Sequence, residues 1–205
     1  MTVRHLLLDA DGVLQHVGGA GWRGEIQRRL GDRADDFVRA VAELEAPGLR
    51  GERDFPDGLD GVLAGFGLAV DAEELYAALW GSITVDPGSL QVAAAVRAAG
   101  VGVHLATNQH PRRAELMQRT LGYQDVVDSG FYSCEVGAAK PEPEFFRRVL
   151  HCLGDPDPEH VVFVDDSLPN VEAAVGLGLR GVHWHLGEGT DLLRSRLADV
   201  GLLRV

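Results

Sequence analysis

His5-Leu6-Leu7-Leu8-Asp9-Ala10-Asp11-Gly12 is a short apolar run that stops at two carboxylates and a glycine. A run of this length bounded by a turn signal reads as a buried strand. Because strand residues i and i+2 share a face, Asp9 and Asp11 are expected to point into one site at its tip. Gly12 lets the chain turn sharply away. Similar runs recur at Val101–Ala106, around Val126–Tyr132, at Val161–Val164 and at Gly181–Trp184. Between them the apolar spacing turns helical, through Leu90, Ala93 and Ala94, then Ala114, Met117 and Leu121, then Phe145, Phe146 and Val149, then Val171, Ala174 and Val175. Strands alternating with helices predict an α/β fold, a Rossmann-like parallel sheet covered by helices on both faces. Such sheets bind ligands beyond the carboxyl ends of their strands, where Asp9, Thr107 and Asp165 all fall.

Residues 15–86 break the alternation. Helical stripes follow one another there without strands: Ile26 and Leu30; Phe37, Val38, Val41 and Leu44; Leu59, Val62 and Leu63; Leu75, Ala78 and Leu79. Gly18-Gly19-Ala20-Gly21 and Asp86-Pro87-Gly88 punctuate the two ends. The expectation is an all-helical subdomain over 15–86, inserted into a core built from 1–14 and 87–205, with a short terminal helix over Asp191–Leu202.

The 205 residues suit one sizeable core with a small appended unit, and 45% hydrophobic with 24% charged residues is the balance of a globular chain. The net charge of −12 argues against nucleic acid and anionic membranes as partners. No apolar run is long enough to cross a bilayer, and the opening residues lack the pattern of a signal peptide. Cys134 and Cys152 form neither a C-x-x-C pair nor a metal-ligand spacing, so a cytoplasmic setting is expected. The pattern does not specify an oligomeric state.

Asp165-Asp166 ends a second strand, and Ser167-Leu168-Pro169-Asn170 is expected to cap the helix after it. Acidic groups from two strand tips repel one another unless a cation sits between them, and an all-oxygen ligand set favours Mg2+ over zinc. Thr107-Asn108 offers a hydroxyl and an adjacent N–H for a phosphoryl oxygen. Lys140 supplies the local positive charge that an anionic substrate needs on an acidic chain. Each feature alone has a structural explanation as a turn, a helix cap or a solvated charge; their convergence on strand ends points to a site.

Together these elements resemble the haloacid dehalogenase-like hydrolase superfamily. Leu6–Leu14 is similar to its first motif, Leu105-Ala106-Thr107-Asn108 to the second, Lys140-Pro141-Glu142-Pro143 to the third, and Val162–Ser167 with Asn170 to the fourth. The helical insertion resembles the small cap of one subclass. Ser133–Gly137 leading into Lys140 is similar to the phosphatase domain of soluble epoxide hydrolases and to bacterial sugar-phosphate phosphatases.

The resemblance implies that Asp9 attacks phosphorus and that Asp11, as a partly protonated carboxyl, serves as general acid and base. Thr107, the Asn108 backbone and Lys140 would bind the phosphoryl oxygens of a small-molecule phosphate ester. Mg2+ would be held by Asp9, the Asp11 carbonyl and Asp166, with Asp165 a direct or indirect ligand. Asn170 would have a supporting role. The cap residues Trp22, Arg23, Arg50, Arg53 and Trp80 are candidates for meeting the leaving group.

Against a dehalogenase stands Asp11, which a halide leaving group does not require. A phosphomutase keeps both aspartates and stays open as an alternative. A receiver-like domain orders its acidic residues differently, and a non-catalytic scaffold would be expected to have lost one of them. Gly176-Leu177-Gly178-Leu179-Arg180-Gly181 matches a dinucleotide pattern but follows a helix instead of opening one. His183 and His185 flank Trp184 at strand spacing, which is not that of a helical zinc site.

Overall fold

The computed structural model describes residues 2–18, 20–55 and 58–202, and only the backbone of residues 20, 21 and 23. Gly19, in the first glycine cluster, and the Arg23 side chain therefore lie outside the described residues. The central sheet contains β1 (His5–Leu8), β4 (Gly102–Thr107), β5 (Ser129–Tyr132), β6 (Val161–Asp165) and β7 (Arg180–His183), in the order β5-β4-β1-β6-β7. All four pairings are parallel, with Leu8 opposite Leu105 on one side and Val164 on the other. The order runs outward in both directions from β1, so a crevice opens at its carboxyl end between β4 and β6.

Alternation along each strand feeds two apolar layers. Leu6 and Leu8 join Val103, Leu105, Val162 and Val164 on one face, where α5 (Pro87–Ala98), α6 (Pro111–Thr120) and α10 (Thr190–Asp199) pack. Leu7, Ala106 and Phe163 face the other way, against α8 (Pro143–Cys152) and α9 (Leu168–Val175). Phe145, Phe146 and Phe163 are fully buried there and meet edge to face at 5.4 and 5.2 Å. Each contributes about 1.5–3 kcal/mol by leaving water, which fixes α8 and the Lys140 turn before it. The run around Val126–Tyr132 is strand only from Ser129; a 3-10 turn over Tyr123–Asp125 precedes it, Val126–Asp128 form a turn and a bend, and one helical turn, α7 (Ser133–Val136), follows. The glycine pattern after α9 closes that helix and leads into β7, as its position in the sequence suggests.

The inserted segment carries α1 (Ala20–Leu30), α2 (Ala34–Leu49), α3 (Leu59–Gly65), α4 (Ala72–Tyr76) and a wide π turn over Ala77–Gly81. Its apolar cluster, with Phe37, Phe55, Leu59, Leu63 and Leu75 at the centre, draws all its buried members from residues 26–76. One expectation is corrected at its ends. Residues 15–86 are not wholly helical: β2 (Gln15–Val17) and β3 (Ile83–Val85) pair antiparallel as a two-stranded ribbon. The β-branched Ile83-Thr84-Val85 favours extended backbone, but three residues are too few to display a period. Asp86 then caps α5 by accepting from the Ser89 N–H at 2.7 Å, with Pro87 in the first turn.

Candidate active site

At the carboxyl ends of β1 and β6, Asp9, Asp165 and Asp166 each bring one oxygen within 4.8 Å of the others. Lys140 reaches into this group from the turn before α8. Its Nζ lies 2.9 Å from Asp9 Oδ1 and 2.6 Å from Asp165 Oδ2, and its side chain is 1% exposed. The Lys140 backbone is held in turn by the Asn108 side chain, which donates to the Lys140 carbonyl at 2.8 Å and accepts from its N–H at 2.9 Å. Motifs two and three are thus bonded to each other, and the Asn108 amide is spent on that bond. Thr107 is buried, and its hydroxyl accepts from Gln109 Nε2 at 3.0 Å.

The neighbouring acids of β6 differ. Asp165 is fully buried and saturated: besides Lys140 it accepts from the Ser167 N–H at 2.8 Å and from Asn170 Nδ2 at 3.1 Å on both oxygens. Asp166 is half-buried and has no such set of partners among the described residues. Ser167 stands at the head of α9 without a side-chain cap bond, contrary to the expectation of good capping, because Pro169 has no N–H to offer and the Asn170 N–H bonds the Ser167 carbonyl. Gly12, at φ +75°, passes so close that an added Cβ would come within 2.4 Å of Asp166 Oδ2.

Burial raises Asp9 to about 7, against the pull of Lys140 and with help from Asp165 and Asp11. Burial likewise raises Asp166, and the Asp165 charge adds to it. A cluster of carboxylates that resist ionising together is chemistry a divalent cation relieves. The Asp11 carbonyl accepts no backbone hydrogen bond among the described residues, which leaves it available as a fourth oxygen. The donor set therefore fits a hard cation of the magnesium type.

Asp11 departs from the expectation. Its carboxylate is gripped by the guanidinium of Arg113, with Nη1 on Oδ2 and Nη2 donating to Oδ1 at 2.8 Å. Gln15 Nε2 donates to Oδ1 at 2.5 Å and Gln109 Nε2 to Oδ2 at 3.2 Å. Burial pushes this carboxyl up, but the Arg113 bonds and charge, with Gln15 and Gln109, outweigh it and hold Asp11 below the usual carboxylate range. It is held ionised, not partly protonated. Arg113, Gln109 and Gln15 are the site neighbours that motif spacing misses. Arg113 sits four residues after Gln109 and four before the buried Met117, on the inward stripe of α6, and that placement is the signal that could have found it.

Arg113 also joins the insertion to the core, since its Nε donates to the Trp80 carbonyl at 2.9 Å. Arg50, bonded to Glu142 at 3.1 Å, and Arg112, bonded to Glu73 at 2.8 Å, add two exposed ties. Arg53 is occupied with the Leu44 carbonyl. Trp22 and Trp80 line a cleft inside the insertion. His183 Nε2 lies 2.9 Å from the Asp166 carbonyl, and His185 Nδ1 accepts from the Gly187 N–H.

A sequence model of the haloacid dehalogenase-like hydrolases matches residues 3–178. The chain belongs to that family. This hydrolase is 32% identical over 100 residues to flavin mononucleotide hydrolase 1 of Arabidopsis thaliana, covering 49% of this chain and 39% of the relative. It is 32% identical over 113 residues to a phosphorylated carbohydrates phosphatase of Thermotoga maritima, covering 54% and 52%. The chain thus spans about half or less of the length of these relatives. Among solved structures, a haloacid dehalogenase family enzyme of Bacteroides thetaiotaomicron, in complex with magnesium and inorganic phosphate, superposes with a TM-score of 0.75 at 22% identity. That match covers 93% of this chain and 98% of the other and establishes the shared α/β fold. No helix among the described residues of this hydrolase is long and apolar enough to cross a membrane.

Proposed function

We propose that this hydrolase is a magnesium-dependent phosphatase that cleaves a small-molecule phosphate monoester through an aspartyl-phosphate on Asp9, with residues 15–86 as its cap. The observation that carries the proposal is Lys140 Nζ between Asp9 and Asp165, because one ammonium there orients the Asp9 carboxylate and presents positive charge to an incoming phosphoryl group. The relatives named for hydrolysis of phosphate compounds support the same chemistry.

In this scheme Lys140 holds Asp9 Oδ1, and the other oxygen attacks phosphorus in line as the ester P–O bond breaks. Thr107 Oγ1, the Asn108 N–H and Lys140 bind the transferred oxygens. Asp11 supplies the proton for the departing alkoxide and then, as carboxylate, takes one from the water that cleaves the aspartyl-phosphate. The Arg113 pair favours the carboxylate, so Asp11 can donate only after it has left that pair on substrate entry and taken up a proton, from solvent or from the hydrogen phosphate form of the bound monoester. Asp9, Asp166 and the Asp11 carbonyl would hold the metal, which when bound neutralises charge on the phosphoryl group. Asp165, saturated by Lys140, Asn170 and the Ser167 N–H, acts as the buttress that fixes Lys140.

The test is sustained turnover of p-nitrophenyl phosphate with and without Mg2+, in the wild type and in Asp9→Asn. Magnesium-dependent turnover, lost in the variant while it stays folded, is expected. Turnover that persists in Asp9→Asn, with deamidation excluded by mass, would overturn the nucleophile assignment.

A further inference from the structure

Gln109, two residues beyond Thr107 and 1% exposed, has both ends of its side-chain amide in use. Its Nε2 donates to Thr107 Oγ1 at 3.0 Å and to Asp11 Oδ2 at 3.2 Å, while Oε1 accepts from Arg113 Nη1 at 2.8 Å. Charge fixes the direction of this amide: reversed, its oxygen would face the Asp11 carboxylate and its NH2 the guanidinium. The main chain is held as well. The Gln109 N–H donates to Ser133 Oγ at 2.9 Å, and the Gln109 carbonyl accepts from Ser133 Oγ at 3.2 Å and from the Cys134 N–H at 3.3 Å. The side chain cannot turn without breaking bonds on both sides.

The bond to Thr107 sets the sense of that hydroxyl. A hydroxyl has one hydrogen to give and two lone pairs to accept with. Because Gln109 donates onto one lone pair, the hydroxyl hydrogen points away from Gln109 and keeps its capacity to donate. Among the described residues none accepts it. Thr107 closes β4 at the crevice, beside the tip of β1 that carries Asp9. A bond accepted by the oxygen also polarises its O–H, strengthening it as a donor by about 10–30%.

We infer that Gln109 is a positioning residue of the phosphoryl site, which keeps the Thr107 O–H aimed as a donor at a transferred phosphoryl oxygen. This rests on the phosphatase reading above. In that scheme the two Nε2 bonds have different fates: the one to Asp11 breaks when Asp11 leaves Arg113, and the one to Thr107 persists through the reaction. Gln109 therefore acts on the chemistry through Thr107, not through Asp11. A single donor aimed at charge developing on a reacting oxygen is worth about 100–1,000-fold in rate, so a donor that loses part of its aim and polarisation loses a measurable part of that factor.

The test is a double-mutant cycle of Gln109→Met and Thr107→Val, read in two ways: kcat/KM for p-nitrophenyl phosphate, and calorimetric binding of inorganic phosphate with Mg2+ present. p-Nitrophenolate departs without needing a proton, so the first readout is little affected by Asp11. Gln109→Met is expected to lower kcat/KM by about fivefold or more when Thr107 is present, and by a factor at least about threefold smaller in Thr107→Val, where there is no hydroxyl left to aim. Phosphate affinity should show the same dependence on Thr107. A residue that only supports the fold would lower both backgrounds alike, and factors that differ by less than about threefold overturn the inference. Should Gln109→Met not fold, Gln109→Glu, which keeps the shape and the bond to Arg113, enters the same cycle; its added charge acts in both backgrounds and cancels. Turnover with equal factors overturns the inference and leaves the phosphatase reading standing. Phosphate binding that shows the dependence on Thr107, with no turnover of the ester, removes the phosphatase reading and leaves Gln109 its role. A wild-type chain that neither turns over the ester nor binds phosphate overturns both.

Discussion

Replacing Arg113 by methionine removes the one cation bonded to Asp11 among the described residues, while roughly preserving side-chain volume. The lost contacts are the two-pronged pair with Asp11, the bond to Gln109 Oε1 at 2.8 Å and the bond to the Trp80 carbonyl at 2.9 Å. Removing one partner of a fully buried ion pair costs about 3–5 kcal/mol. The Arg113 side chain is 4% exposed but that of Asp11 is 31%, and Asp11 keeps Gln15 and Gln109 as donors, so the pair itself is discounted. With the two orphaned acceptors included, the expected loss is about 3 kcal/mol. For a chain of this size that lowers the melting temperature by roughly 6–12 °C. Asp11→Asn alone leaves the guanidinium buried without its counter-charge and should also destabilise. In Arg113→Met with Asp11→Asn neither charge is stranded, so the two losses should overlap by about 1.5 kcal/mol or more in a urea-denaturation cycle. Additivity within about 0.5 kcal/mol would refute the pairing on which this account of Asp11 depends.

Three further outcomes are expected. Asp166→Asn should shift the midpoint of a Mg2+ titration of activity at least tenfold; an unchanged midpoint would remove Asp166 from the ligand set. Lys140→Arg should cut turnover by about 100-fold or more although the charge is kept, because the planar fork favours pairing two-pronged with one carboxylate instead of bridging two; activity within fivefold of wild type would contradict this. His110 is wholly buried against Phe55 and Tyr76, and burial, with Arg113 and Arg112, lowers it from 6.5 to about 3. Below pH 6.5 the unfolded chain takes up a proton that the folded chain refuses, so stability falls as pH falls, by about 2 kcal/mol at pH 5. His110→Phe should lose correspondingly less stability between pH 7 and pH 5, and an unchanged difference would show that His110 is not the acid-sensitive group.

The sheet was legible because its central strands, β1, β4 and β6, are buried on both faces. Leu6–Leu8 and Val161–Val164 are unbroken apolar runs, and each ends at the carboxylates that mark the crevice. The ribbon of β2 and β3 was not, because its register joins Gln15 to Val85 across the whole insertion and local spacing carries no record of a partner so distant. Asp11 shows a second limit. Strand alternation correctly brings Asp9 and Asp11 to one tip, but the state of Asp11 depends on a helix about a hundred residues away. Arg112 and Arg113 are adjacent and chemically identical in a sequence; only the inward stripe through Ala114 and Met117 separates the one exposed on Tyr76 and Glu73 from the one buried on Asp11. Asp165 and Asp166 differ in the same way, the first saturated by α9 and Lys140, the second half-open toward Gly12.

Lys140 is the sole lysine in 205 residues, so every other side-chain cation of the chain except histidine is an arginine. The two cations beside Asp9 and Asp11 show why the types are not interchangeable. Arg113 meets its carboxylate with a flat fork that bonds both oxygens, which suits a group to be held still and ionised. Lys140 is a compact point charge on a flexible stem, and at 2.9 and 2.6 Å it bridges single oxygens of Asp9 and Asp165. A carboxylate bridged through one oxygen keeps the other free to act on phosphorus; one clasped through both does not. In the proposed phosphatase scheme the same contrast would account for a division of labour between the two aspartates of the first motif. In that scheme Asp9 is offered up by a lysine that paired acids pin in place, while Asp11 is stored on an arginine whose further bond, to the Trp80 carbonyl, would tie its release to the position of the cap.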